Sequence, residues 1–244
     1  MRWRFGAVAC AAALAIGLGG CAGGDDTPTP SAGEVGDCYG NSSTKAVDCA
    51  GPHVAETVFV RREAPPQSPK ALFPCREAQA RYLGQDFNTR LDVQLWIASD
   101  LSWYRCDVFV RNSTQGGNGY QSVTGSLKDV LEKGVSVDLQ SCLSEPYDPA
   151  GDQVYIPCAE PHVAQELIVA PAIGTVDEPF PDDVADRAAR ACNATAAASD
   201  LIGPDTRVEA YYPKTADAWA SGERTADCWI IATSGVLPPV TRTQ

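Results

Sequence analysis

Hydrophobic positions fall along this chain in short separate blocks, and their periods predict distinct elements. Thr57-Val58-Phe59-Val60 and Leu167-Ile168-Val169-Ala170 are apolar, β-prone runs and predict strands. Residues 92–97, 105–110, 207–212 and 227–232 predict four more. Residues 182–198 are dense in Ala and Arg, with Val184, Ala188, Ala191 and Cys192 on one face, and predict a helix. Residues 75–83, closed by Gly84, predict another. Pro65-Pro66-Gln67-Ser68-Pro69 and Pro179-Phe180-Pro181 precede these helices as loops. Ser126-Leu127-Lys128-Asp129 resembles a capping box, with Gly134 placed to end one short helix.

The elements recur in the same order, β-β-α-β-β, in each half, and the cysteines recur with them. Cys38, Cys49, Cys75 and Cys106 form one quartet; Cys142, Cys158, Cys192 and Cys228 form another. The second Cys of each opens a nearly identical string, Cys49-Ala50-Gly51-Pro52-His53-Val54-Ala55-Glu56 and Cys158-Ala159-Glu160-Pro161-His162-Val163-Ala164-Gln165-Glu166. Both histidines of the protein occupy that one place. The fourth Cys of each follows a Trp, Trp103 or Trp219. The expected fold is α+β, two tandem copies of a small disulfide-bonded β-β-α-β-β unit over residues 34–120 and 126–236. The polar, Gly-rich stretch between them reads as a linker. Such small units bury thin cores, which disulfides reinforce.

The N-terminus changes the picture of where this happens. A basic Met1-Arg2-Trp3-Arg4 precedes an uncharged apolar stretch to Leu18, too short to span a bilayer comfortably. Leu18-Gly19-Gly20-Cys21 then resembles a lipobox, which makes residues 1–20 a lipoprotein signal peptide and Cys21 the lipid attachment site. Residues 21–33, poor in large apolar side chains, read as a flexible tether. The expected location is the extracytoplasmic face of the cell membrane. Loss of Arg2 and Arg4 with the signal leaves 17 basic against 31 acidic residues, a net charge of −14. That excludes nucleic acid as a natural partner and makes acyl chains, not a basic patch, the membrane contact.

Ten Cys in an exported chain point to cross-links. After Cys10 and Cys21, eight remain as disulfide candidates. Four per unit allow three pairings, of which first-to-second and third-to-fourth is preferred, the third pinning the helix to the last strand. Zinc held by Cys49 with His53 or Cys158 with His162 is disfavoured, because oxidation removes the thiolates and no C-x-x-C spacing is present. No metal and no cofactor are expected, and no G-x-S-x-G, P-loop or H-E-x-x-H motif occurs. No catalytic residue emerges. His53 and His162 are expected to bond neighbouring backbone or the following Glu56 or Glu166, with a pH-sensitive partner contact as the alternative. Trp103 and Trp219 complete the set of binding or structural candidates.

Two stretches resemble the actinobacterial septum formation family. Gly36-Asp37-Cys38 with the Val47-to-Glu56 string is similar to its opening; Tyr212-Pro213-Lys214-Thr215, Trp219-Ala220-Ser221-Gly222-Glu223-Arg224 and Cys228 resemble its closing signature. The first half departs from that signature, with Trp103 only three residues before Cys106. The resemblance implies a membrane-attached exterior protein linked to division or envelope maintenance, with division or envelope proteins as partners, and supplies no catalytic residues. The competing expectations are a receptor for a small ligand or peptide at the seam between units, and an envelope hydrolase or redox enzyme using that cleft.

Overall fold

The computed structural model describes residues 31–40, 44–67, 72–175, 177–241 and 243–244. The signal, Cys21 and most of the tether lie outside the described residues. In chain order the elements are β1 (Cys38–Tyr39), β2 (Ala46–Val47), β3 (Ala55–Arg61), α1 (Phe73–Leu83), β4 (Leu91–Ile97), β5 (Tyr104–Arg111) and β6 (Tyr120–Gln121). A 3₁₀ turn (Val137–Leu139) follows, then β7 (Cys142–Leu143), β8 (Ala164–Glu166), α2 (Val184–Ala197), β9 (Thr206–Tyr211), α3 (Ala216–Ala220) and β10 (Asp227–Ala232). The chain is thus a mixed helix-and-sheet protein with two antiparallel sheets. One runs β2-β1-β3-β5-β4 with β6 also on β5; the other runs β7-β8-β10-β9.

Each sheet is backed by one long helix, and the alternation of strand residues decides what it sees. Cys106, Val108 and Val110 of β5 point at Cys75, Ala78 and Leu83 of α1 and form one core. Cys228, Ile230 and Ala232 of β10 do the same against Val184, Ala188, Cys192 and Ala196 of α2. Pro74 suits the first turn of α1, and Gly84 ends it at φ 97°, a left-handed conformation that a side chain would strain.

Four disulfides pin this arrangement: Cys38–Cys49, Cys75–Cys106, Cys142–Cys158 and Cys192–Cys228. The second and fourth join each helix to the strand beneath it. Among the described residues no helix is long and apolar enough to cross a membrane.

Two segments differ from the sequence expectation, for one shared reason. Residues 126–134 form turns instead of a helix, with Asp129 at φ 57°. The Asp129 and Leu131 amides donate to Tyr82 and Leu83 carbonyls, satisfying the open C-terminal end of α1. Leu127, Leu131, Val135 and Leu139 then bury in the first core. The second strand ends at Glu166 and does not cover 167–170. Leu167 still donates to Cys228, but the Ile168 carbonyl accepts from the Asn88 amide and its side chain packs on the first core. In both places tertiary pairing across the halves overrides local propensity.

The halves meet along a bonded seam. Tyr155 donates to the Asn112 carbonyl, Thr114 to Gln153, and Gln115 to the Asp152 carboxylate. Arg76 of α1 and Glu223 form an ion pair across it at 3.5 Å. On the far side of the first sheet, residues 31–37 lie as a strap. Arg105 Nη1 donates to the Ser31 carbonyl at 2.9 Å and Gly36 to the Thr57 carbonyl. Beneath the strap the fully buried pair Arg105–Asp107, at 3.0 Å, is shared with Tyr39 and Thr57.

Candidate functional site

The recurring Pro-His step places each imidazole inside a fold knot. His53 Nδ1–H donates to the Gly51 carbonyl at 3.0 Å and His162 Nδ1–H to the Glu160 carbonyl at 2.8 Å. Both rings are buried, and each histidine bridges to a later segment, Val123 or Leu237. His162 Nε2 lies 3.1 Å from Gln165 Oε1, while His53 Nε2 has no hydrogen-bond partner. The acidic residue expected beside His162 was Glu166; the residue there is Gln165, because strand alternation turns Glu166 to the opposite face.

Glu56 is also inward, and its carboxylate is fully engaged. It accepts from the Tyr82 hydroxyl, from Ser126 Oγ at 2.6 Å and from the Leu127 amide at 2.6 Å. Cys38, His53 and Glu56 bring ligand-type atoms within 4.8 Å of one another. Cys38 Sγ is bonded to Cys49 and Glu56 already accepts three hydrogen bonds, so this donor set does not fit a thiolate metal centre. All eight described cysteines are in disulfides, which leaves no described thiol beside either histidine.

Trp103 and Trp219 do different things. Trp103 sits partly exposed before β5, its carbonyl accepting from Ala98. Trp219 on α3 is buried; its Nε1–H donates to the Glu178 carbonyl at 2.6 Å and Arg224 lies over its ring at 4.0 Å.

The chemistry collects instead in a cavity of about 680 Å³ along the seam. Arg111 enters from the end of β5, Asp92 from β4 and Asn88 from the loop after α1; Glu166 and Asp227 come from the second sheet. Trp229 pairs with Glu166, and Asp227 is two residues along the same strand, so the two carboxylates are diagonal neighbours on one sheet face. Arg111 Nη1 donates to the Thr114 carbonyl at 2.9 Å, and its Nε stands 3.9 Å from Asp92, with no hydrogen-bond partner.

Burial pushes the Glu166 carboxyl well up from its ordinary value, and the charge of Asp227 adds to the rise; Ser141 and Arg111 oppose it. Burial raises Asp227 as well, against the pull of Arg111. Asp227 keeps contact with water through the cavity, so its rise is screened in part. The Tyr155 phenol is held up chiefly by burial, and Tyr147 is pushed up to about 12 for the same reason.

A second cavity of about 840 Å³ adjoins, walled by Tyr147, Tyr211, Tyr212, Pro149 and Pro213. The two share Arg76, Ser221 and Glu223, so the Arg76–Glu223 pair stands between an acidic and an aromatic compartment.

Sequence reading singled out Glu166 but missed Arg111, Asp92, Asn88 and Asp227. The one available signal was the charge of Asp227 at the head of an otherwise apolar strand.

Among known families, the one described as septum formation matches residues 35–228. No curated protein and no solved structure matches the chain.

Proposed function

The chain belongs to the septum formation family, and from that premise we propose that it is a lipid-anchored extracytoplasmic protein serving septum formation or envelope maintenance by binding. The family match carries this reading; the lipobox ending at Cys21 and the four disulfides support its exterior location. The body acts without catalysis and takes division or envelope proteins as partners, not nucleic acid.

In this reading residues 34–120 and 126–236 descend from one β-β-α-β-β unit. The equivalent disulfides, the equivalent Pro-His knots and the equivalent helix-to-strand cross-links support it. A receptor role for a small ligand or peptide is the second reading, favoured by the seam cavity with its convergent polar groups.

Replacing Cys21 by Ala in the native host moves the protein from the membrane fraction to the soluble exterior fraction. Retention of the variant in the membrane refutes the anchor. Imaging of the exterior domain places it at division sites, and its pull-down from envelope extracts recovers division or envelope proteins. A uniform distribution with no envelope partner refutes the septal role.

A further inference from the structure

The seam cavity is asymmetric in what its walls still need. Most of its charges are spent: Glu223 on Arg76, Glu77 on Arg81, and Arg224 on the Thr175, Trp219 and Glu223 carbonyls. Glu166 and Asp227 are not. Among the described residues neither carboxylate has a cation within ion-pair distance; Glu166 is partly buried and Asp227 is open to the cavity. The buried Ser141 hydroxyl lies beside Glu166 and opposes only part of its rise.

The opposite wall has the reverse need. Arg111 Nε, paired with Asp92 only at 3.9 Å and beyond hydrogen-bond reach, and Asn88 Nδ2 are buried donors with no hydrogen-bond acceptor, and both residues line the cavity. Buried polar groups without partners are costly, roughly 1–3 kcal/mol each, and native proteins keep few of them. Two carboxylates without a cation and two donors without an acceptor, facing one space, define complementary needs for one ligand.

We propose that this cavity binds a small zwitterion of the amino-acid or short-peptide class, its ammonium received by Glu166 and Asp227 and its carboxylate by Arg111 and Asn88. A simple metal cation fits poorly, because Arg111 in the same wall repels it and its Nε still lacks an acceptor. A simple anion fits poorly for the converse reason. The volume, about 680 Å³, lies within the range of small-ligand pockets and exceeds what a single amino acid fills. A dipeptide or tripeptide is the natural size, and the adjoining aromatic compartment gives a longer side chain somewhere to lie.

The proposal rests on the binding role stated above, but its test is independent of location. The full chain, purified in detergent, is titrated calorimetrically with alanyl-alanine, with N-acetyl-alanyl-alanine and with alanyl-alanine amide. Saturable binding is expected for the first, with each cap weakening it about tenfold or more, as loss of a charged hydrogen bond does. Asp227→Asn weakens the free dipeptide about tenfold and leaves the acetylated one unchanged. Asn88→Ala weakens the free dipeptide and leaves the amide unchanged. Asp227→Asn changes an exposed side chain and Asn88→Ala removes a side-chain amide without a hydrogen-bond partner, so both are expected to fold; circular dichroism checks this. No saturation with alanyl-alanine, equal affinity for all three probes, or full affinity in Asp227→Asn overturns the assignment. Septal localisation with no dipeptide binding overturns this site alone; dipeptide binding without septal localisation overturns the septal role alone.

Discussion

At the scale of single residues, the most informative side chains are carboxylates that the fold treats in opposite ways. Glu56 is buried but receives three hydrogen bonds, so its charge is accommodated. Tyr82→Phe deletes one of these donors and leaves the rest; the expected cost is about 1–2 kcal/mol, a fall in Tm of roughly 2–8 °C by calorimetry. Burial first, and then the bond to Glu56, push the Tyr82 phenol up to about 12, so the donor is present through the whole physiological range. Glu166 has less support, from the Ser141 hydroxyl and the charge of Arg111 alone. Its folded carboxyl is raised above its unfolded value, so its contribution favours the folded state at low pH and is lost as pH climbs toward the raised value. Gln at this position cannot ionise. Glu166→Gln is therefore expected to match the parent near pH 5 and to exceed it by roughly 1–2 kcal/mol at pH 9, after allowance for water in the cavity. Melting curves of both proteins across that range decide the matter, and parallel curves would sink the account of Glu166.

At the scale of elements, the cross-links do what the thin cores cannot. Each long helix lies on its sheet through small side chains, Ala188, Cys192 and Ala196 in α2, which bury modest area. Replacing Cys192 and Cys228 together by Ala is expected to cost roughly 2–4 kcal/mol, or about 4–16 °C in Tm. An unchanged melting point would mean that the core alone holds α2. Most of these elements were legible from the chain. The period of α2, the alternation of β9, the apolar run of β10 and the Gly after Leu83 are local signals with local causes. What was not legible was any segment whose contacts lie in the other half. Ile168 leaves its strand for the other half, and residues 127–139 complete the first core. The short α3, capped by Thr215 Oγ1 accepting from the Ala218 amide, carries Trp219 into the second core but is too brief to show a period.

At the scale of the whole molecule, the site illustrates the same division. Duplicated motifs drew the eye to His53 and His162, and both proved to be interior knots of the fold. The polar cavity arises where the two halves meet, from residues that no repeat marks: Arg111, Asn88, Asp92 and Asp227. Only Glu166 belonged to both pictures, because the string that carries His162 runs into β8 and presents alternate residues to opposite sides. A seam site is invisible to a reading that treats each half separately. It depends on the backbone bonds that fix Asn88 to Ile168 and Tyr155 to Asn112.

The strap held by Arg105 has a consequence for how the protein faces its surroundings. With lipid on Cys21, as proposed, about ten residues separate the bilayer from Ser31, a reach of no more than roughly 35 Å. The leash leaves the body on the face of the first sheet opposite α1, the face that carries the buried Arg105–Asp107 pair. With that anchor in place, the strap face is the part of the body whose distance from the lipid the tether limits most tightly.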